Sequence, residues 1–193
     1  NITTDIYPTI NKRLKTSKRT FVVSGLLCAQ RGLESLYQFA FHHPECSFIV
    51  AGNITDHVAE KFIASSNVDY RGYIPQRELL QLSASATAVF SLYDPSVEIN
   101  RLAASNKLYD AMMLGIPVIT NRGIAASDFV NTHQIGIVVP FNYCGDWEIL
   151  ASIDLTKLQN IGKNGRKLYE AEFCGSGSFE GRCIPLLKVL RGV

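Results

Sequence analysis

Short apolar runs alternate with amphipathic stretches along this chain, and that alternation predicts the order of its elements. Residues 20–24 (TFVVS) are a compact β-branched and aromatic run ending at Gly25, the pattern of a buried strand. Residues 33–41 (LESLYQFAF) carry apolar positions at helical spacing. Residues 47–50 (SFIV) predict a second strand closed by Ala51-Gly52-Asn53, residues 57–64 a helix, and residues 68–70 a short third strand before Gly72. Pro75 opens another helix, PQRELLQLSASA, with the proline in its favoured first turn and Gln76 and Glu78 near its positive end. Three more strands follow at 87–92 (TAVFSL), 117–120 (PVIT) and 135–140 (IGIVVP), with a strong helix over 105–114 before Gly115. From Trp147 onward the pattern is mostly helical, in pieces broken around 174–178 (CGSGS).

Strands about 20 to 30 residues apart, with helices between them, indicate parallel βαβ units. The strands are near-continuously apolar, as expected when helices cover both faces of a sheet. The predicted fold is therefore α/β: a Rossmann-like, doubly wound parallel sheet of about six strands with helices on both faces and a helical C-terminal tail. Residues 1–193 read as a single domain, with a tail helix over 175–193. In such a sheet, ligands sit beyond the carboxyl ends of the strands.

Composition narrows the classes. A hydrophobic fraction of 47% and a charged fraction of 19% are those of an ordinary globular chain, and a net charge of +2 calls for no nucleic acid. Lys12, Arg13, Lys15, Lys18 and Arg19 cluster near the start. They read as a solvated surface, with a weak patch for an anionic membrane or a phosphate-bearing ligand as the alternative. Five scattered cysteines (Cys28, Cys46, Cys144, Cys174, Cys183) without CxxC spacing fit neither a disulfide scaffold nor a structural zinc site, and suit a reducing compartment. His42, His43 and Cys46 are close in sequence, but FAFHHPEC reads as a helix end followed by a proline turn. No signal-peptide pattern opens the chain, no apolar run approaches the ~20 residues of a membrane span, and a start at Asn1 without Met is expected of a fragment.

Candidate chemistry lies just after the strands. Gly25 lets a ligand approach the backbone, and Arg31, in Gln30-Arg31-Gly32, could hold a phosphate oxygen near a helix N-terminus. Gly turns and first-turn arginines are also common without any ligand. Neither GxGxxG nor GxxxxGK[ST] is present, which argues against a dinucleotide fingerprint and a P-loop. The richest segment follows the fourth strand, from Tyr93-Asp94-Pro95-Ser96-Val97-Glu98 to Met112. Ser105 is a good N-cap, which puts Asn106 and Lys107 in the first turn of the next helix. Free N–H groups, the helix dipole and the Lys107 ammonium converge there into a site for a diphosphate. A lysine in that turn runs against the dipole, a violation of local preference that points to function. Asp110 lies one turn further on the same face, where a carboxylate can reach a sugar hydroxyl; a simple Lys–Asp surface pair is the alternative from spacing alone.

The stretch SNKLYDAMMLGIPVIT, residues 105–120, resembles the carboxy-terminal domain of GT-B glycosyltransferases of the retaining family 4 type. Residues 24–36 (SGLLCAQRGLESL), 68–96, 121–139 and 165–173 (GRKLYEAEF) are similar to the family's first phosphate loop, its Gly-aromatic-hydrophobic turn, its post-strand glycine region and its late helix. The chain departs from the family pattern in places. The second of the family's two spaced glutamates is Asp110 here, the earlier acid falls on Leu102, and an arginine that often follows the first-loop glycine is Leu26. Some bacterial members share the Asn-Lys form without the first acid, and Glu98 is a nearby substitute.

The resemblance implies that Arg31 and Lys107 neutralise the leaving diphosphate with help from Ser105 and Asn106, that Asp110 binds the ribose, and that Tyr73 and Ile74 flank the base. Cations and a helix N-terminus stabilise charge on the departing diphosphate. With no DxD cluster in the sequence, the implied mechanism uses no metal and no cofactor beyond a UDP- or GDP-linked sugar. The implied acceptor, a glycan or lipid-linked glycan, binds an amino-terminal domain absent from this chain, which the tail helix would touch. The fragment is expected to bind nucleotide sugar weakly and to transfer nothing alone, in a cytoplasmic setting with peripheral membrane association, as suits polysaccharide synthesis. Two alternatives stand beside this: a nucleotide-sugar epimerase-like enzyme using His133 and Glu98, and a non-catalytic nucleotide-binding or assembly module, favoured by Leu26 and Leu102.

Overall fold

The structure, a computed structural model, describes residues 18–173. The expected tail helix, Cys174 and Cys183, and Lys12, Arg13 and Lys15 lie outside the described residues. Strands β1 (Thr20–Leu27), β2 (Ser47–Ile54), β3 (Val68–Tyr70), β4 (Ala88–Ser91), β5 (Val118–Asn121) and β6 (Gly136–Val139) form one six-stranded sheet in the order β3-β2-β1-β4-β5-β6. Every neighbouring pair is parallel, so each connection must return the chain across a face of the sheet, and helices do so. Helices α1 (Leu33–His42) and α2 (His57–Ile63) join the first three strands, and α3 (Gln76–Ala84) carries the chain back past β1 to β4. Helices α4 (Glu98–Arg101) and α5 (Asn106–Leu114) lead to β5, α6 (Ala125–His133) leads to β6, and α7 (Glu148–Ser152) and α8 (Leu155–Glu172) follow. The sheet is the doubly wound one expected, with its order reversing between β1 and β4, the switch point beside whose carboxyl ends such sheets hold a ligand crevice.

Apolar residues on both sides of each strand explain the two cores. Phe21, Val23, Phe48 and Phe90 pack with α1, α2 and Trp147 on one face. Val22, Val89 and Val118 pack with Leu80 of α3, Met112 of α5 and Val130 of α6 on the other. Trp147 is fully buried, stacks on Phe90 and donates its indole N–H to the Pro140 carbonyl, pinning the chain after β6 to the sheet. Among the described residues no helix is long and apolar enough to cross a membrane.

Several boundaries differ from the reading of the sequence. Strands β1 and β2 do not stop at Gly25 and Ala51-Gly52-Asn53 but run through them, because Gly25 and Gly52 face each other in register and neither brings a side chain. Pro75 is the extended N-cap of α3 and not part of its first turn, with φ −60° and ψ 148°. Helices α4 and α6 were not legible as helices. His42 and His43 end α1 as expected; His43 Nδ1 and Nε2 lie 3.0 and 3.1 Å from Glu45 and Glu148, and burial pushes the Cys46 thiol up to about 11.

Candidate functional site

The crevice at the switch point is floored by backbone. Gly25, near the end of β1, has φ +99°, and Gly52 beside it has φ +143°, so neither position suits an L side chain. A Cβ on Gly52 would fall 1.8 Å from the Gly25 carbonyl oxygen. The Gly52 N–H donates to the carbonyl of Gly72, just past β3, so three glycines lie side by side across the carboxyl ends of three strands.

Two cations reach over this floor. Helix α5 begins as expected: the Ser105 Oγ accepts the Lys107 N–H at 3.3 Å, and Ser105 is buried while Asn106 is exposed. Lys107 extends back toward β1, where its Nζ would lie 3.4 Å from a Cβ on Gly25. Arg31 ends a 3-10 turn (Ala29–Arg31) that Gly32, at φ +72°, joins to α1. Its guanidinium lies 4.3 Å over the Tyr93 ring, and Nη1 donates to Asn100 Oδ1 at 2.9 Å. Asp56, the N-cap of α2, also accepts the Ala29 N–H at 2.7 Å and so anchors the Arg31 turn. Burial would raise the Asp56 pKa, but the Ala29 and Ala59 N–H groups outweigh it and hold the carboxyl below its usual value.

Asp110 and the loop after β3 form the second part of the site. Asp110 Oδ2 accepts from Gln76 Nε2 at 2.9 Å, which ties α5 to the start of α3 and to the preceding Tyr73 and Ile74. Tyr73, 80% exposed, and Ile74, half-buried, lie three and two residues before Gln76. Burial pushes the Asp110 pKa up, and the opposing pull of Gln76 and Lys107 does not cancel it. Lys107 turns to Gly25 and Tyr93 while Asp110 turns to Gln76, so the spacing does not reflect a surface ion pair.

Gly25, Arg31, Ser105, Asn106 and Lys107 are thus brought together, with Asp110, Tyr73 and Ile74 along the same edge. Glu98 is not among them. It is exposed on α4 and lines an open hollow with Arg101, Leu102, Gly123 and Asp128, next to the position where leucine replaces the earlier acid. His133 closes α6 at the end that feeds β6, opposite the carboxyl ends of the strands, so it cannot serve chemistry in the crevice. The exposed histidine that the topology puts at that edge is His57, at the start of α2. Sequence reasoning gave no role to Tyr93, Asn100, Asn121 or Gly52. Only the polar loop after β4 hinted at the first two.

No family model and no curated protein matches this chain. Solved structures do. A sucrose-phosphate synthase from Thermosynechococcus elongatus matches with a TM-score of 0.66 at 19% identity, over 98% of this chain and 48% of that one. HepE of Anabaena, in complex with UDP-glucose, matches with a TM-score of 0.64 at 14% identity, over 98% of this chain and 53% of that one. The C-terminal domain of a group 1 family glycosyl transferase (LpcC) from Francisella tularensis matches with a TM-score of 0.58 at 14% identity, over 87% of this chain and 92% of that one. The fold is that of a GT-B glycosyltransferase domain. Within the GT-B fold this chain spans about half the length of the two full enzymes, and nearly the length of the single domain.

Proposed function

We propose that this chain is the donor-binding, carboxy-terminal half of a retaining, family 4-type GT-B glycosyltransferase acting on a UDP- or GDP-linked hexose. The observation that carries the reading is the position of Lys107, over Gly25 at the switch point, with Arg31 beside it. A leaving diphosphate gathers negative charge as the anomeric bond breaks. Two fixed cations and the first turn of α5 stabilise that charge more in the transition state than in the bound donor, which is what accelerates the step. This charge needs no metal to complement it. Asp110 would take a ribose hydroxyl and Tyr73 with Ile74 would flank the base. HepE, of the same fold, was solved with UDP and with UDP-glucose.

The acceptor, a glycan or lipid-linked glycan, would bind a second half. Leu26 near the end of β1, and Tyr73, Ile99 and Leu102 on the segments that leave β3 and β4, are exposed, an apolar rim suited to cover by such a domain. An enzyme of this kind fits polysaccharide synthesis at the cytoplasmic face of a membrane.

Thermal melts with UDP, GDP and their hexose conjugates test the reading. A ligand held at 100 times its Kd should stabilise the fold by about 2.7 kcal/mol, and one base should do so far better than the other. No shift with any of them would contradict the donor-site reading, and sugar transfer by this chain alone would contradict its division into halves.

A further inference from the structure

Both cations of the crevice converge on Tyr93, which follows β4 at the switch point. The Arg31 guanidinium carbon lies 4.3 Å from the ring centroid and Lys107 Nζ 5.9 Å from it. Two like charges on long side chains repel each other and lose rotamer freedom when held in one place. The electron-rich face of an aromatic ring offsets both by attracting each cation without neutralising it.

The backbone that carries the ring is itself fixed. Asn121, fully buried at the end of β5, accepts the Tyr93 N–H at 2.8 Å and donates Nδ2 to the Tyr93 carbonyl at 2.9 Å. These two bonds hold Tyr93 just past the last β4–β5 register pair, Ser91 with Thr120. Asn100, 4% exposed, links Arg31 to the Asp94 carbonyl, and the Asp94 N–H donates to the Gln30 carbonyl. The loops carrying Arg31 and Tyr93 are therefore bonded to each other beside the stacked pair.

We propose that Tyr93 is a positioning residue: its ring, carried on a backbone clamped by Asn121, preorganises Arg31 and Lys107 into one receptor for a diphosphate. The proposal rests on the donor-site reading and adds the residue through which both cations are placed.

The test is calorimetric titration of inorganic pyrophosphate, UDP and GDP into the wild-type chain, Tyr93→Phe, Tyr93→Leu, Arg31→Ala and the Tyr93→Leu/Arg31→Ala pair. Tyr93→Phe should bind within about twofold of wild type and Tyr93→Leu about tenfold more weakly, the scale of a partly desolvated cation–π contact. In the Arg31→Ala background the Tyr93→Leu step should shrink to about threefold or less, because the ring acts through the guanidinium. Fluorinated phenylalanines at position 93 keep the shape while draining the ring face, so affinity should fall with each added fluorine, whether or not Tyr93→Leu folds. Equal binding by Tyr93→Leu, or affinity unmoved by fluorination, overturns the proposal alone. Failure of the folded wild type to bind any of the three ligands overturns the donor-site reading and the proposal with it.

Discussion

At the scale of single residues, the two groups of opposite charge on α5 behave differently. Lys107 was legible because a lysine in the first turn of a helix is locally unfavourable, and the structure sends its ammonium over Gly25 beside the Tyr93 ring. Asp110 was legible by spacing, but its burial and its bond from Gln76 were not, since Gln76 lies in another helix. Its raised pKa sets a sign. Between the ordinary value of 3.8 and the folded value, the folded state holds a proton that the unfolded state has lost, so stability falls as pH rises through that window. Asp110→Asn should therefore raise the unfolding midpoint at neutral pH, with the gain vanishing below pH 3.8. The same change should weaken nucleotide binding about tenfold by removing a charged acceptor. Thermal melts from pH 3 to 8 and a nucleotide titration check the two halves, and a lower midpoint at neutral pH would contradict the first.

At the scale of elements, the glycines decide how closely neighbouring strands approach and what can lie above them. Gly52→Ala should destabilise by about 3 kcal/mol in urea unfolding, because its Cβ would meet backbone that has no room to give. Gly72→Ala, with φ +65° but nothing within 4 Å, should cost only about 1 kcal/mol of backbone strain. Equal costs would mean that the Gly25–Gly52 approach is not what shapes the floor. This pairing also explains which boundaries could be read. Glycine usually ends a strand pattern, so TFVVS and SFIV were seen and their continuations were not. The register of β1 with β2 makes the glycines acceptable, and register is a property of two segments at once. Helix α5, with its Ser105 cap and Gly115 stop, was plain. Helix α6 buries only Ser127 and Val130 among its nine residues, too narrow an apolar stripe to mark it. The four residues of α4 make little more than one helical turn and gave no period at all.

At the scale of the whole molecule, the sheet order was within reach of the sequence, because alternating apolar runs and helices leave few ways to build a parallel sheet. The ring of Tyr93, the clamp of Asn121 and the anchor of Asp56 were not, since each joins loops far apart in sequence. Several carboxylates bind the fold together away from the crevice. Glu45 is held below its usual pKa by its own backbone N–H and by His43, Glu148 by Tyr143 and then His43, and Asp154 by the Lys157 N–H. Depressed values contribute stability that is present above the ordinary value and lost as pH falls through the folded one. The melting midpoint should thus decline once pH drops below 4.5, and a midpoint that rises on acidification would contradict this. The proposed function makes the switch point of this sheet a diphosphate site organised on Lys107. Calorimetric titration of UDP and GDP into the wild type and Lys107→Ala tests this. One nucleotide should bind the wild type, and the variant should bind it about ten- to a hundredfold more weakly, the loss expected for a charge-assisted bond to phosphate. Equal affinity of variant and wild type, or no binding by a folded wild type, would contradict it.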